Sequence, residues 1–316
     1  MRKLGFLIFI ILLLVLTILV GKNFFQRTWN GESKINIAFI NQKIFVFSFD
    51  PQEKKAVILL FPPNAFIETI HGYGDYLLES VYKLGEQEGY GGGEFLASSL
   101  QENLRIPVDS YALISDFKDI DLTSKPREFI LVCFRDLFLR RRKTNLKKAD
   151  FLFLWLKFKN IRQDKISIID LEKFDVTEKI ILPDNTEGFK INPQKFKKVA
   201  LGFFKDTQVR QENLEIAVLN STSYSGLATR VANLIENIGG RVVEIGEIKN
   251  SKFQSANWRT NSKCKIKSKK EFKKSYTLKK LEKIFGCQWE EEDTGDYRGD
   301  VVLIVTEGYW KMLRKK

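Results

Sequence analysis

Residues 214–245, LEIAVLNSTSYSGLATRVANLIENIGGRVVEI, read as one strand–helix–strand unit and decide the class of the fold. The run 214–219 is almost continuously apolar, as a strand covered on both faces must be. A polar turn follows at 220–225. Leu227, Val231, Leu234, Ile235 and Ile238 then recur at spacings of three and four, which predicts a helix over 226–238. Gly239 and Gly240 stop it, and 241–245 is the next strand. Two strands joined through a helix are parallel, so this is a βαβ unit in an α/β sheet.

The pattern extends in both directions. Downstream lie an irregular stretch at 250–262, a lysine-laced strand at 264–268, a helix at 276–285 and a closing strand at 301–305. Upstream, 164–211 is broken into short segments by Pro183-Asp184-Asn185 and Asn192-Pro193, and a domain boundary is expected near 205–212. Before it, strands are expected at 35–49 (broken near Asn41-Gln42), 56–61, 110–114 and 129–134. Helices are expected at 76–87, 94–104 and 147–158. This interleaving is again an α/β order.

At the amino end, Arg2 and Lys3 precede an uncharged apolar run from Leu4 to Val20. At 1.5 Å per residue it just spans a hydrocarbon core of about 30 Å, and it ends without the small-residue site of a cleaved signal peptide. Residues 1–22 are therefore expected to be a single-pass anchor in the cytoplasmic membrane, with the rest of the chain extracytoplasmic. The net charge of +13 and pI near 9.4 then face outward, toward anionic lipid head groups, polyprenyl phosphates and wall polymers. That topology excludes nucleic acid as a partner and leaves the oligomeric state open. One histidine and three cysteines cannot build a Cys/His metal cluster, and no cofactor is expected.

Residues 213–309 resemble the LytR C-terminal domain of cell-envelope proteins, through Ile216 to Thr222, Gly226 to Ala232 and Ile238 to Val243 in order. Residues 34–205 resemble the LytR-CpsA-Psr (LCP) family. The likeness rests on Phe45 to Pro51, Val57 to Pro62, a Tyr82 helix followed by glycines, and Asn103 to Tyr111. The resemblance implies an anchored α/β protein with an LCP-like domain and a small LytR C-terminal domain. It also implies magnesium-dependent transfer of glycopolymer from a polyprenyl pyrophosphate to peptidoglycan, with arginines on the diphosphate and carboxylates on the metal. Here the implied metal aspartate is Gln42, the diphosphate arginine is Pro63, and the neighbouring aspartate is Asn64. Proline offers no cation, and an amide is a poor ligand for a divalent ion. The reading is a degenerate LCP-like protein without catalytic or metal-binding residues, which binds wall glycopolymer, lipid carrier or envelope partners. An active transferase with a relocated site is the alternative.

Arg140, Arg141 and Arg142, with Asp150 nearby, are candidate anion-binding residues. Gly89-Tyr90-Gly91-Gly92-Gly93 reads as a flexible connector, since no Lys-Ser/Thr pair follows. His71 reads as a loop residue. Ten lysines between Lys263 and Lys283 read as a solvated strand edge or an anion-binding surface. Cys264 and Cys287 bracket the last helix and are either a disulfide or two buried thiols, whereas Cys133 reads as a core thiol in a strand. The topology is checked by protease added to intact spheroplasts: the chain should be cut to a small anchored fragment, and a protected C-terminal unit would overturn the orientation.

Overall fold

The structure, a computed structural model, describes residues 27–41, 43–115, 120–182, 185, 187–200, 202–248, 262–292 and 297–314. The anchor expected at 1–22, Gln42 and all but the last residue of the irregular stretch 250–262 lie outside the described residues. Among the described residues no helix is long and apolar enough to cross a membrane.

A meander of three antiparallel strands comes first, β1 (Ile35–Ile40), β2 (Phe45–Asp50) and β3 (Lys55–Leu60). Next come β4 (Ala65–Glu68), β5 (Asp75–Leu77), α1 (Leu78–Gln87), α2 (Gly92–Leu104) and β6 (Ser110–Leu113). Two helices follow, α3 (Pro126–Leu139) and α4 (Lys148–Phe158), then β7 (Ile166–Asp170), β8 (Thr177–Ile181), β9 (Glu187–Ile191), α5 (Pro193–Ala200) and α6 (Thr207–Glu212). The first sheet has the order β6-β1-β2-β3-β7, with β6 parallel to β1 and β7 parallel to β3. A smaller sheet, β5-β4-β9-β8, lies beside it.

Residues 129–134 are not a strand. Six consecutive apolar residues carry no period of their own, but Phe129, Ile130, Cys133, Phe134 and Leu137 form one buried helical stripe, and Pro126 suits the first turn of α3. That stripe and α4 cover one face of the first sheet, where Phe39, Phe47, Phe134 and Phe158 pack ring to ring. Cys133 is a buried free thiol there.

The glycine run is not a flexible connector either. A Cβ on Gly92 would stand 2.4 Å from the Tyr82 carbonyl oxygen, and one on Gly93 would stand 2.1 Å from the Tyr111 ring. These glycines let α2 start hard against its neighbours. The helix expected from residue 76 begins at Leu78, because Tyr76 and Leu77 pair with β4.

The second unit contains β10 (Glu215–Asn220), α7 (Leu227–Asn237), β11 (Arg241–Glu247), β12 (Cys264–Ser268), α8 (Tyr276–Phe285), β13 (Gln288–Glu291), β14 (Val301–Val305) and α9 (Glu307–Arg314). Its sheet order is β11-β10-β14-β12-β13, and β10 with β11 and β14 is parallel. Cys264 and Cys287 are disulfide-linked, with Cα atoms 4.6 Å apart, tying the start of β12 to the residue before β13. The lysines of β12 do not guard an edge, since β13 and β14 flank the strand. Lys265 pairs with Glu290 and the buried Lys267 with Glu292, while Lys273 lies over the Trp289 ring at 4.2 Å.

The two units share one apolar core and two buried polar nodes. In the first node, Asp109 accepts the Asn36 backbone N–H (2.9 Å) and side-chain amide (2.8 Å) and pairs with Lys280 of α8 at 2.7 Å. Lys280 also faces Asp206 at 3.9 Å, and Tyr276 donates to Asp206 at 2.6 Å. Burial opposes ionisation of Asp109, but the Lys280 and Lys283 ammoniums and the Asn36 donor outweigh it and hold its carboxyl below the usual range. Burial pushes Asp206 up. In the second node, Tyr309 donates to Glu102 at 2.6 Å and Arg230 lies 3.6 Å from the same carboxylate. Removing one member of a buried pair strands the other, so Lys280→Met should lower the unfolding free energy by about 3–5 kcal/mol in urea titrations. A loss below about 1 kcal/mol would show that the pair is not part of what joins the units.

Candidate functional site

The turns that follow β1 and β3 lie at one end of the first sheet, and the second of them carries Pro63 and Asn64. A cavity of about 270 Å³ opens there, between Lys43 and Ile44 on one turn and Phe61 and Pro63 on the other. Pro63 is in the lining; Asn64 follows in a left-handed turn at φ +58°. The walls are apolar, from Ile44, Phe61, Leu78 and Leu122. Among the described residues, the charged lining consists of Glu79, Asp121, Asp170 and Glu172 against Lys43. The Thr123 hydroxyl and the Thr123 and Ser124 backbone N–H groups hold the Asp121 carboxyl down at about 2, so it is an anion at every working pH. Among the described residues of the lining, a diphosphate entering this cavity meets four carboxylates and one lysine, and no arginine. Among the described residues, no three His, Cys, Asp or Glu side chains converge as a metal site.

The arginines expected to bind anions are near this end of the sheet, but two of them are occupied. Asn41, beside Gln42, donates to the Ser115 carbonyl at 3.3 Å, and the Arg142 guanidinium donates to the Ser115 hydroxyl. Arg142 also contacts Asp136 at 3.3 Å, and Arg140 contacts the other oxygen of that carboxylate at 2.9 Å. Asp136 is 6 % exposed, so both guanidiniums serve to neutralise it. Arg141 is exposed on the connecting turn. Asp150, grouped with the arginines by sequence, does separate work: fully buried at the start of α4, it accepts N–H groups from Lys147, Thr28 and Trp29 at 2.8–3.1 Å. It thus fastens the segment that follows the apolar amino end.

Other singled-out residues are structural. His71, in a left-handed turn, stacks on Tyr90 with ring centroids 4.2 Å apart. The 220–225 turn closes on itself, since Asn220 donates to the Tyr224 carbonyl at 2.8 Å and accepts from the Thr222 N–H and hydroxyl. Ala228 and Ala232 are buried, which lets α7 lie close on its sheet. The ring of acids around the cavity escaped sequence reading because its members come from three separate segments with no common motif.

The second unit is therefore an α/β module whose distinguishing turn builds the fold. Residues 213–309 match the family described as "LytR cell envelope-related transcriptional attenuator". No curated protein matches the chain. Among solved structures, similarity is found to "TagT bound to LIIa-WTA", at 15% identity and a TM-score of 0.40 over 55% of this chain and 91% of that one. "LytR-CPS2A-psr family protein YwtF (TagT) with bound octaprenyl pyrophosphate lipid" aligns at 15% identity, a TM-score of 0.39 and 55% and 90% coverage. B. subtilis TagV aligns at 14% identity, a TM-score of 0.38 and 54% and 95% coverage. Neither identity nor score is high enough to carry an activity across.

The Asp136 node yields a measurable consequence. Asp136→Ala leaves Arg140, Arg142 and Ser115 without their shared acceptor and should lower stability by about 1–3 kcal/mol. An unchanged urea midpoint would mean that the arginines are free to take an external anion.

Proposed function

We propose that this chain is a membrane-anchored cell-envelope protein held by residues 1–22, with an LCP-like unit at 34–205 and its LytR C-terminal domain at 213–309. It binds envelope glycopolymer or its lipid carrier without transferring it. TagT structures hold wall teichoic acid and a polyprenyl pyrophosphate lipid, as their descriptions state. For this chain, the sequence resemblance, the LytR C-terminal domain and the outward-facing positive charge support an anionic ligand of the same kind.

One observation carries the non-catalytic part: the cavity beside Pro63 holds, among the described residues, four carboxylates and one lysine. Phosphoryl transfer needs cations on the leaving and transferring oxygens. Losing one such contact lowers a rate by about a hundred- to a thousandfold, so replacing the set leaves no useful turnover. The purified chain should show no magnesium-dependent release or transfer from a polyprenyl-pyrophosphate glycan, while binding of anionic polymer weakens as salt rises. Robust turnover that is abolished in Arg142→Ala would establish the transferase reading instead.

A further inference from the structure

The opposite end of the first sheet holds a larger cleft, of about 380 Å³. Its floor is a row running straight across the strands. Ser48 of β2 sits opposite Val57 of β3, which sits opposite Ser167 of β7. Its roof is the segment joining the two units, from Gly202 through Phe203 and Lys205 to Thr207 and Arg210 on α6. The cleft thus lies between the first sheet and the segment that leads into the second unit.

The charges around it are unequally engaged. Asp50 caps its own turn through the Gln52 and Glu53 N–H groups and accepts the Thr207 hydroxyl at 2.9 Å. Glu53 is paired with Lys55 at 3.0 Å, and Asp164 with Arg162 at 2.9 Å. Each carboxylate of the lining is already satisfied. The exposed Lys165, Lys205 and Arg210 have no carboxylate partner among the described residues. Lys34, only 8 % exposed, donates to the Phe203 and Lys205 carbonyls at 2.6 and 3.1 Å and keeps one N–H unused. Burial lowers its pKa to about 8, against the attraction of Asp50 and Asp206, so most of it remains charged at neutral pH.

The Ser48 hydroxyl supplies an independent sign of a ligand. Ser48 is 1 % exposed, its Oγ has no hydrogen-bond partner, and it lines the cleft. Buried polar groups are rarely left unsatisfied, because doing so costs as much as a lost hydrogen bond. The unmet groups here are a hydroxyl on the floor, an ammonium on the wall and a guanidinium with two ammoniums at the rim. A tetrahedral oxyanion takes several such donors at once. The volume exceeds one phosphate and leaves room for a hydroxylated carrier.

We propose that this cleft binds a phosphate group borne on a polyol or sugar. The proposal deepens the function above by placing the anion, and it depends on that reading only for the source of the phosphate. The site lies at the opposite end of the sheet from the cavity at Pro63 and needs none of its residues.

The test is binding to the full chain in detergent, with inorganic phosphate, poly(glycerol phosphate) and polyglutamate as probes. Poly(glycerol phosphate) should bind more tightly than polyglutamate. The double variant Lys165→Ala/Arg210→Ala should weaken it by about tenfold or more. A control with the same charge change, Lys269→Ala/Lys270→Ala, should shift it by less than about threefold. Ser48→Ala should also weaken binding while leaving the urea midpoint unchanged or raised, because it deletes an unsatisfied group from the empty fold. Equal weakening in the control pair, or phosphate binding indifferent to Ser48→Ala, overturns the site. Tight polymer binding that ignores both site variants keeps the proposed function and refutes this site. Inorganic phosphate binding as tightly as the polymer, and lost in the site variants, keeps the site and assigns it to free phosphate, against the polymer reading.

Discussion

The buried contact between Lys280 and Asp109 is the constraint on which the arrangement of the molecule depends. Both side chains are almost wholly out of water, so neither tolerates the loss of the other. Lys280 comes from α8 in the second unit, and Asp109 lies at the threshold of β6 in the first. Asp109 is held in turn by the backbone and side chain of Asn36 on β1. One ammonium therefore fixes the last major helix against the first sheet. A misdocked second unit would leave an uncompensated charge in an apolar setting, and that penalty sets the register of the units more sharply than the non-directional packing around it.

The two ends of the first sheet are chemically opposite. At the end bearing the β1–β2 and β3–β4 turns, the cavity is acidic, and the two nearby arginines Arg140 and Arg142 spend their charge on Asp136. At the other end, the joining segment lays Lys205 and Arg210 over a polar row on the sheet, and the carboxylates present are tied to local partners. An anion is repelled at the first end and attracted at the second. The protein's positive charge is thus sorted by its neighbours, and its net value alone does not say where it acts.

What could be read from the sequence follows the range of the forces involved. The helix at Tyr276–Phe285 was legible, because its apolar spacing and the closing Gly286 are local signals; the structure adds the Ser275 cap. The βαβ unit at 214–245 and the meander of β1 to β3 were legible for the same reason. Residues 129–134 were not: six apolar residues in a row fit a buried strand or a buried helix equally, and only the sheet they cover chooses the helix. Gly92 and Gly93 looked mobile because their packing partners, Tyr82 and Tyr111, lie on other elements.

By itself, the sequence determined the α/β class, the βαβ unit at 214–245 and the excess of basic residues, since each is written in residue type or short spacing. Only the tertiary structure decided which charges are free. Lys267, Lys280, Arg140 and Arg142 look like surface cations in the sequence and are consumed by internal carboxylates, whereas Lys165, Lys205 and Arg210 have no carboxylate partner among the described residues. The physical reason is that a charge is neutralised by whatever lies within a few ångströms in space, and the chain places those partners as many as 171 residues apart.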